Sequence, residues 1–465
     1  MRASNAAKGA LAGLLAALPP MLAFRGFTVD DALVSARVAE HLANGAGYRF
    51  NPGGAVVDAV TPLGWAELLA CFGRASVLEM FERGRTIGTV AWLLAAAILG
   101  VLVGRGRRSR GVLVGALLLS APLGAWASSG METGVVTLLA TLALIEAPVA
   151  ALAAGAAAAW RPELLVWAVV LTSGSALVSA TSSRERIRAL AGRLPLALGP
   201  ALAIACLRHA RFGAFAPLAV WAKPSDLAHG LFYSAGAFVG TGVPLLCVAP
   251  RCIARARGRS LVLLLAVPAH FVALILAGGD WMALYRLAVP VLPTAILVAA
   301  HLAEMSSRRS LILRGVVSAL VPVWVGVAVA WPGRRVLEHR LTLIAAARPV
   351  LRAAQSIASV DVGWVGAATE ASIVDLAGIT DPVVARLPGG HTSKRVTEGL
   401  VENRAVDAAV LLLAPGEPPA LRWQDSAFAR SVEERMATLP SLEHFRLRAV
   451  LPLVGTEQRY LIVGP

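Results

Sequence analysis

The chain is dominated by apolar runs long enough to cross a lipid bilayer, separated by clusters of arginine. A hydrocarbon core needs about 20 apolar residues per helix. Spans are expected at 8–24, 87–103, 112–127, 133–147, 148–160, 162–180, 194–209, 231–250, 260–277, 285–303 and 311–331. Lipid offers no partner to backbone N–H and C=O groups, so such runs can only be helices. Charged residues make up 15% of the 465 positions and hydrophobic ones 57%, against about 25% charged in soluble domains. The expected class is a polytopic α-helical membrane protein with about 11 transmembrane helices. The segment 10–24 follows Arg2 and Lys8 as a signal peptide would. Pro19-Pro20-Met21 and Phe24-Arg25 stand where a small-residue cleavage site belongs, so it reads as a retained first span.

A net charge of +15 does not imply nucleic acid, because the arginines cluster between the apolar runs. The clusters are Arg105, Arg107, Arg108 and Arg110; Arg184, Arg186, Arg188 and Arg193; Arg251, Arg255, Arg257 and Arg259; and Arg308, Arg309 and Arg314. The positive-inside rule places all four, with Arg2 and Lys8, in the cytoplasm. The opposite face receives Asp30-Asp31, Glu132, Arg161, Glu163, Lys223, Asp280 and Arg286. Acids near hydrocarbon are costly and persist where chemistry needs them, so this asymmetry points to an outward-facing site. Cys71, Cys206, Cys247 and Cys252 show no disulfide framework or zinc spacing, and His209, His229, His270 and His301 show no ligand spacing.

An odd number of crossings exports everything after about residue 334. Two parts are expected: residues 1–333, a transmembrane domain with a large first outer loop at 25–86, and 334–465, a small extracytoplasmic α/β domain. In the second part strands are expected at 360–365, 372–376, 408–413 and 460–463, with helices near 393–404 and 424–437. In the first loop, Asp31 to Asn44 has the composition of a surface helix, with Gly45 and Gly47 as stop signals.

Six segments, in order, resemble a bacterial group of GT-C-type membrane glycosyltransferases. They are VDDALVSARVAEHLANGAGYRFNPGGAVVDAVTPLGW (29–65), SSGMET (128–133), WRPELL (160–165), RFGAFAPLAVWAK (211–223), GGDWMALYRLAVPVLP (278–293) and VDLAGITDPVVARLPGGH (374–391). The group includes the terminal arabinofuranosyltransferases of mycobacterial cell-wall synthesis, which take sugar from a polyprenyl-phosphate donor. The chain departs from the group where a His and a Thr-Asn pair are usual, having Gly45-Ala46-Gly47-Tyr48 and Val60-Thr61-Pro62 instead. A Pro-Asn pair usual near Pro217-Leu218 is also missing.

The resemblance implies transfer of a sugar, such as a pentofuranose, from a polyprenyl-phosphate-linked donor to a glycan or lipid acceptor. The reaction would run on the outer side of a bacterial-type inner membrane, with membrane lipids as the other partners. Such transfer needs a base for the acceptor hydroxyl and positive charge for the departing phosphate. The base would be Asp30 or Asp31, with Asp30 preferred; the competing role for both is helix capping. Lys223, Arg286 and Arg161 are candidates for the donor phosphate, or else anchors at the membrane surface. Asp280, Glu132, Trp281 and His391 are candidates for sugar or acceptor binding, with Arg386 beside His391 in the loop. Were a divalent cation (Mg, Mn or Ca) used, Asp30, Asp31 and Asp280 would hold it; the sequence requires none. The alternative class is a transporter or lipid flippase, which expects ionisable groups near span midpoints and repeated halves. Here those groups stand at span ends and no internal repeat is evident.

Overall fold

The computed structural model describes residues 2–104, 106–147, 149–453 and 455–465. Arg105 of the first arginine cluster, the side chain of Arg2, and Pro148 at the start of the fifth expected span lie outside the described residues. Contacts divide the chain into a helical unit (Met1–Thr28, Gly84–Leu207 and Ser225–Arg334) and a mixed unit (Val29–Arg83, Arg208–Pro224 and Arg335–Pro465).

Among the described residues seven helices are long and apolar enough to cross a membrane: Ser4–Ala23, Val77–Leu102, Pro162–Ser179, Ser183–Phe212, Arg259–Ala277, Ala283–Met305 and Arg308–Leu351. An eighth span is broken, Arg107–Leu119 meeting Ala121–Ala127 at 60°. The break falls at Ser120, whose hydroxyl caps the second piece by accepting from the Leu123 N–H. The three other expected spans are short: Thr133–Leu142, Val149–Trp160 and Leu227–Gly240, of 10, 12 and 14 residues. At 1.5 Å per residue these reach only about 15–21 Å. Among the described residues the eleven expected spans thus coincide with seven long helices, one bent pair and three short apolar helices. Composition marks a segment as apolar, but the helix length is set by where Glu132, Arg161 and Asp226 end it.

The helix Ala283–Met305 is the centre of the unit, with 89% of its apolar window buried; Ser183–Phe212 lies at the periphery with 6%. Close packing elsewhere depends on missing side chains. A Cβ on Gly13 would overlap the Ala96 carbonyl oxygen, and one on Gly100 would overlap that of Gly9. The first helix and Val77–Leu102 thus meet backbone to backbone, as small residues allow in lipid, where packing rather than the hydrophobic effect drives association.

In the mixed unit a five-stranded sheet has the order β2-β1-β3-β5-β4, with β1 at Ser356–Ser359, β2 at Ser372–Asp375, β3 at Ala408–Leu412, β4 at Arg446–Pro452 and β5 at Arg459–Gly464. β1 pairs parallel with β2 and β3; β5 pairs antiparallel with β3 and β4. The strand expected at 360–365 is instead the helix Val362–Ala368, because Asp361 stands at its N-terminus and the strand ends two residues earlier. β4 has no counterpart among the expected strands; Arg446 and Arg448 face solvent and dilute its apolar pattern. The helix expected near 393–404 shortens to Glu398–Asn403, and that at 424–437 to Ser431–Ala437.

The first loop belongs to this unit rather than forming a free appendage of the spans. Its helix runs Asp30–Ala43. Arg37, 2% exposed, sends its guanidinium to the carbonyls of Phe50, Gly366, Thr369 and Ala371. Burial pushes its pKa down to about 10. Asn51 accepts from the Ile373 N–H at 2.8 Å and donates to the Ile373 carbonyl at 2.9 Å, completing the free edge of β2. Long-range hydrogen bonds of this kind leave no trace in local pattern.

Gly13→Leu should lower the melting temperature of the detergent-solubilised protein, with an overpacking cost of about 2 kcal/mol or more. Gly111→Leu, at a position where an added Cβ would meet no atom within 4 Å, should melt as wild type does. Equal behaviour of the two would remove the close helix contact as the cause.

Candidate functional site

At one end of the helical unit the chain brings together most of the ionisable residues expected there. Glu132, fully buried, is ion-paired with Arg161. Asp280 is ion-paired with Arg286 at 2.9 Å, both nearly buried. Glu163 lies within electrostatic reach of Arg161, Arg286 and Asp280. Tyr233, which sequence reasoning missed, faces Asp280, Arg286 and Glu163. Its hydroxyl accepts from the Leu287 N–H at 3.1 Å. Glu132 therefore orients Arg161, a partnership that sequence proximity would have given to Glu163.

The segment carrying Arg286 is strained. Leu284 and Tyr285 have φ of 59° and 53°, in the left-handed region. Such conformations cost about 1–3 kcal/mol each and persist where surroundings over-determine them. Here Trp126 Nε1 donates to the Leu284 carbonyl at 3.1 Å, and the Tyr285 ring lies against Gly240, where a Cβ would collide with it. The kink turns the chain so that Arg286 reaches Asp280 and stands 5.8 Å from the centre of the Trp126 ring. Trp126 and Gly240 were not legible as site residues; only the kink connects them to Arg286.

Beside this cluster Trp281, 64% exposed, stacks on His229 at 4.0 Å. His229 is fixed by a 2.7 Å hydrogen bond between Nδ1 and the Gly278 carbonyl oxygen. Asp280 accepts from the Trp281 N–H at 2.9 Å through Oδ1, while Oδ2 faces Arg286. An exposed aromatic face next to an oriented carboxylate suits a sugar ring. Arg85, a further cation missed in the sequence, donates to the Ser128 carbonyl at 3.0 Å and to that of Arg25. Thr28 donates to the Ser129 carbonyl at 2.8 Å, fixing the chain where it leaves the first helix.

The remaining expected residues are in the mixed unit. Lys223 closes the helix Leu218–Ala222, half-buried. His391 is half-buried in the loop after Gly389-Gly390 and is grouped with the sheet, not with the Arg161 and Arg286 pairs. Asp30 spends both oxygens on the amides that open the helix Val362–Ala368, accepting from Gly363 N–H at 2.7 Å and Trp364 N–H at 3.0 Å. It thus caps a helix, though not its own. Burial raises its pKa to about 6, against the opposing pull of Arg340 4.0 Å away, while Asp361 adds to the rise. Burial alone would raise Asp361 too, but Arg430, in a two-point contact of 2.8 and 3.0 Å, and Arg340 hold it below the usual range. Asp31, half-buried at the next position, is not among the ligands of these amides.

Among the described residues no group of three or more His, Cys, Asp or Glu is arranged to hold a metal ion. Asp30 is committed to backbone amides and Asp280 to Arg286, so the three aspartates considered for a divalent cation do not fit one as arranged.

Three comparisons bear on these observations. Residues 335–460 match a family described as a domain of unknown function (DUF8728). No curated protein matches the chain. The fold is similar to the crystal structure of ArnT from Cupriavidus metallidurans bound to undecaprenyl phosphate, at TM-score 0.51 and 14% identity over 97% of each chain. That likeness is one of fold, a multi-helix membrane architecture.

Arg161→Ala should destabilise the protein by about 3–5 kcal/mol, because a buried carboxylate is left unanswered, and adding Glu132→Gln should restore most of that loss in thermal unfolding. Asp30 binds a proton in the fold that the unfolded chain releases near pH 4, so its contribution is complete below that pH and is lost as pH rises through about 6. Melting temperatures of Asp30→Asn, whose side chain does not titrate, should therefore fall less than those of wild type between pH 4 and pH 6.5.

Proposed function

We propose that the protein is an integral-membrane glycosyltransferase that moves a sugar from a polyprenyl-phosphate donor to a cell-envelope glycan or lipid. The reading is carried by the buried cluster of Arg161, Arg286, Glu132, Glu163 and Asp280 at one end of a GT-C-type helical unit. A similar fold was crystallised with undecaprenyl phosphate, the class of lipid such a donor contains. The place of this cluster at helix ends, not mid-span, weighs against a transporter.

In this reading Arg286 and Arg161 stabilise the charge that grows on the donor phosphate as the sugar departs. Their paired acids hold the guanidinium groups in place beforehand, so no reorganisation accompanies the reaction. Trp281, stacked on His229, supports the sugar face, and Asp280 receives its hydroxyls. For the base, Asp31 of the first loop is the residue to test, since both Asp30 oxygens accept from amides. The active face and the mixed unit lie outside the cytoplasm, a proposal resting on the arginine clusters at the other ends of the spans. A pentofuranose such as arabinose is the sugar that the resembling sequences suggest.

The test is transfer by purified full-length protein from synthetic polyprenyl-phosphate pentose and hexose donors. Asp31→Asn should melt normally yet lose at least about 100-fold in rate, as removal of a general base predicts. Arg286→Lys should retain the charge but lose the guanidinium contact with Asp280, with a smaller loss of rate. Full activity of Asp31→Asn, or no transfer from either donor class by wild type, would sink the reading.

A further inference from the structure

The helical unit contains a second polar place, at the end opposite the acid and arginine pairs. A cavity of about 530 Å³ opens among residues 143–147 and the helices Val149–Trp160, Leu165–Ser179, Ser183–Phe212 and Arg259–Ala277. Its polar lining is Glu146, Thr172, Ser175, Ser179, Arg193 and Arg259. Arg259 begins the 19-residue helix that ends just before Asp280, so about 28 Å of helix separates the two places.

Two features of the lining point to a ligand. Thr137, Thr141 and Thr241 each spend the hydroxyl on the carbonyl four residues back, at 2.7 Å, as hydroxyls in lipid normally do. Thr172, 4% exposed, and Ser175 have no such partner among the described residues, though both border the cavity. Arg259 is answered by Glu146 and by the Leu144 carbonyl. Arg193, half-buried at the same cavity, has no partner among the described residues. The excess is one positive charge beside unanswered hydroxyls, with Leu171, Leu196 and Leu263 continuing the lining. Hydroxyls buried in lipid without a partner cost free energy, and an unpaired arginine there costs more.

We propose that this cavity binds one anionic phospholipid of the leaflet at the arginine-rich end. Its phosphate pairs with Arg193, its glycerol ester oxygens accept from Thr172 and Ser175, and an acyl chain follows the leucines. The lipid is a structural ligand, separate from any sugar donor, and binds whether or not the protein transfers sugar.

Full-length protein, stripped of lipid in detergent, would be titrated with phosphatidylglycerol, phosphatidylcholine or glycerol 1-phosphate. Bound lipid is read by native mass spectrometry and stability by thermal unfolding. Phosphatidylglycerol should bind one per chain and raise the melting temperature, and the other two should do neither. Arg193→Ala should bind phosphatidylglycerol about tenfold more weakly, the loss expected for one charge-assisted contact. Ser175→Leu, which narrows the cavity beside Thr172 and leaves the charge, should abolish one-to-one binding with an unaltered melting temperature in lipid-free detergent. Equal binding of phosphatidylcholine, saturation by glycerol 1-phosphate alone, or unchanged affinity in both variants would overturn the proposal.

Discussion

A charge removed from water must be answered by another charge or by hydrogen bonds, and this requirement organises the helical unit. Glu132 and Arg161, Asp280 and Arg286 come from three segments of the chain, each at the ends of apolar helices. Taking either partner away leaves several kcal/mol of uncompensated charge. The helices around the pairs are thereby held at fixed depth, and the short ones, Thr133–Leu142 and Val149–Trp160, end where Glu132 and Arg161 must meet. The left-handed turn at Leu284 and Tyr285 belongs to the same constraint, since it brings Arg286 onto Asp280.

The mixed unit solves the corresponding problem with hydrogen bonds to backbone. Arg37 answers four carbonyls, Asn51 both groups of Ile373, and Asp30 two amides. Asp375, at the end of β2, accepts from the amides of Ala377, Gly378 and Thr380 and from the Thr380 hydroxyl. Burial lifts its pKa to about 6 despite these bonds. Two aspartates that stand in motifs suggestive of chemistry, Asp30 and Asp375, are thus occupied in holding loops and helix ends. A motif records that a residue type is needed at a position; it does not say whether catalysis or architecture needs it.

Much of the candidate site was legible because expensive residues are conspicuous in an apolar chain. Glu132, Arg161, Asp280, Arg286 and Trp281 could be picked out as polar or aromatic groups at span ends, and they gather in one unit. Tyr233, His229 and Arg85 carried no comparable signal, being ordinary interfacial residue types whose relevance lies in what they touch. Lys223 was selected by the same criterion of position, yet it falls in the other unit, with His391, which was selected for its loop. Proximity along a loop says nothing about which unit the loop packs into.

Apolar run length and the spacing of arginines settled, from the sequence alone, that the chain is a helical membrane protein, because lipid leaves the backbone no other way to satisfy its polar groups. They also placed the apolar helices in order along the chain. Only tertiary structure decided which of Asp30 and Asp31 is engaged by the helix Val362–Ala368, that Arg161 pairs with Glu132, and that the first loop joins the C-terminal sheet. Those are contacts between residues tens to hundreds of positions apart, and long-range pairing is chosen by shape and desolvation in the folded chain, which no local pattern encodes.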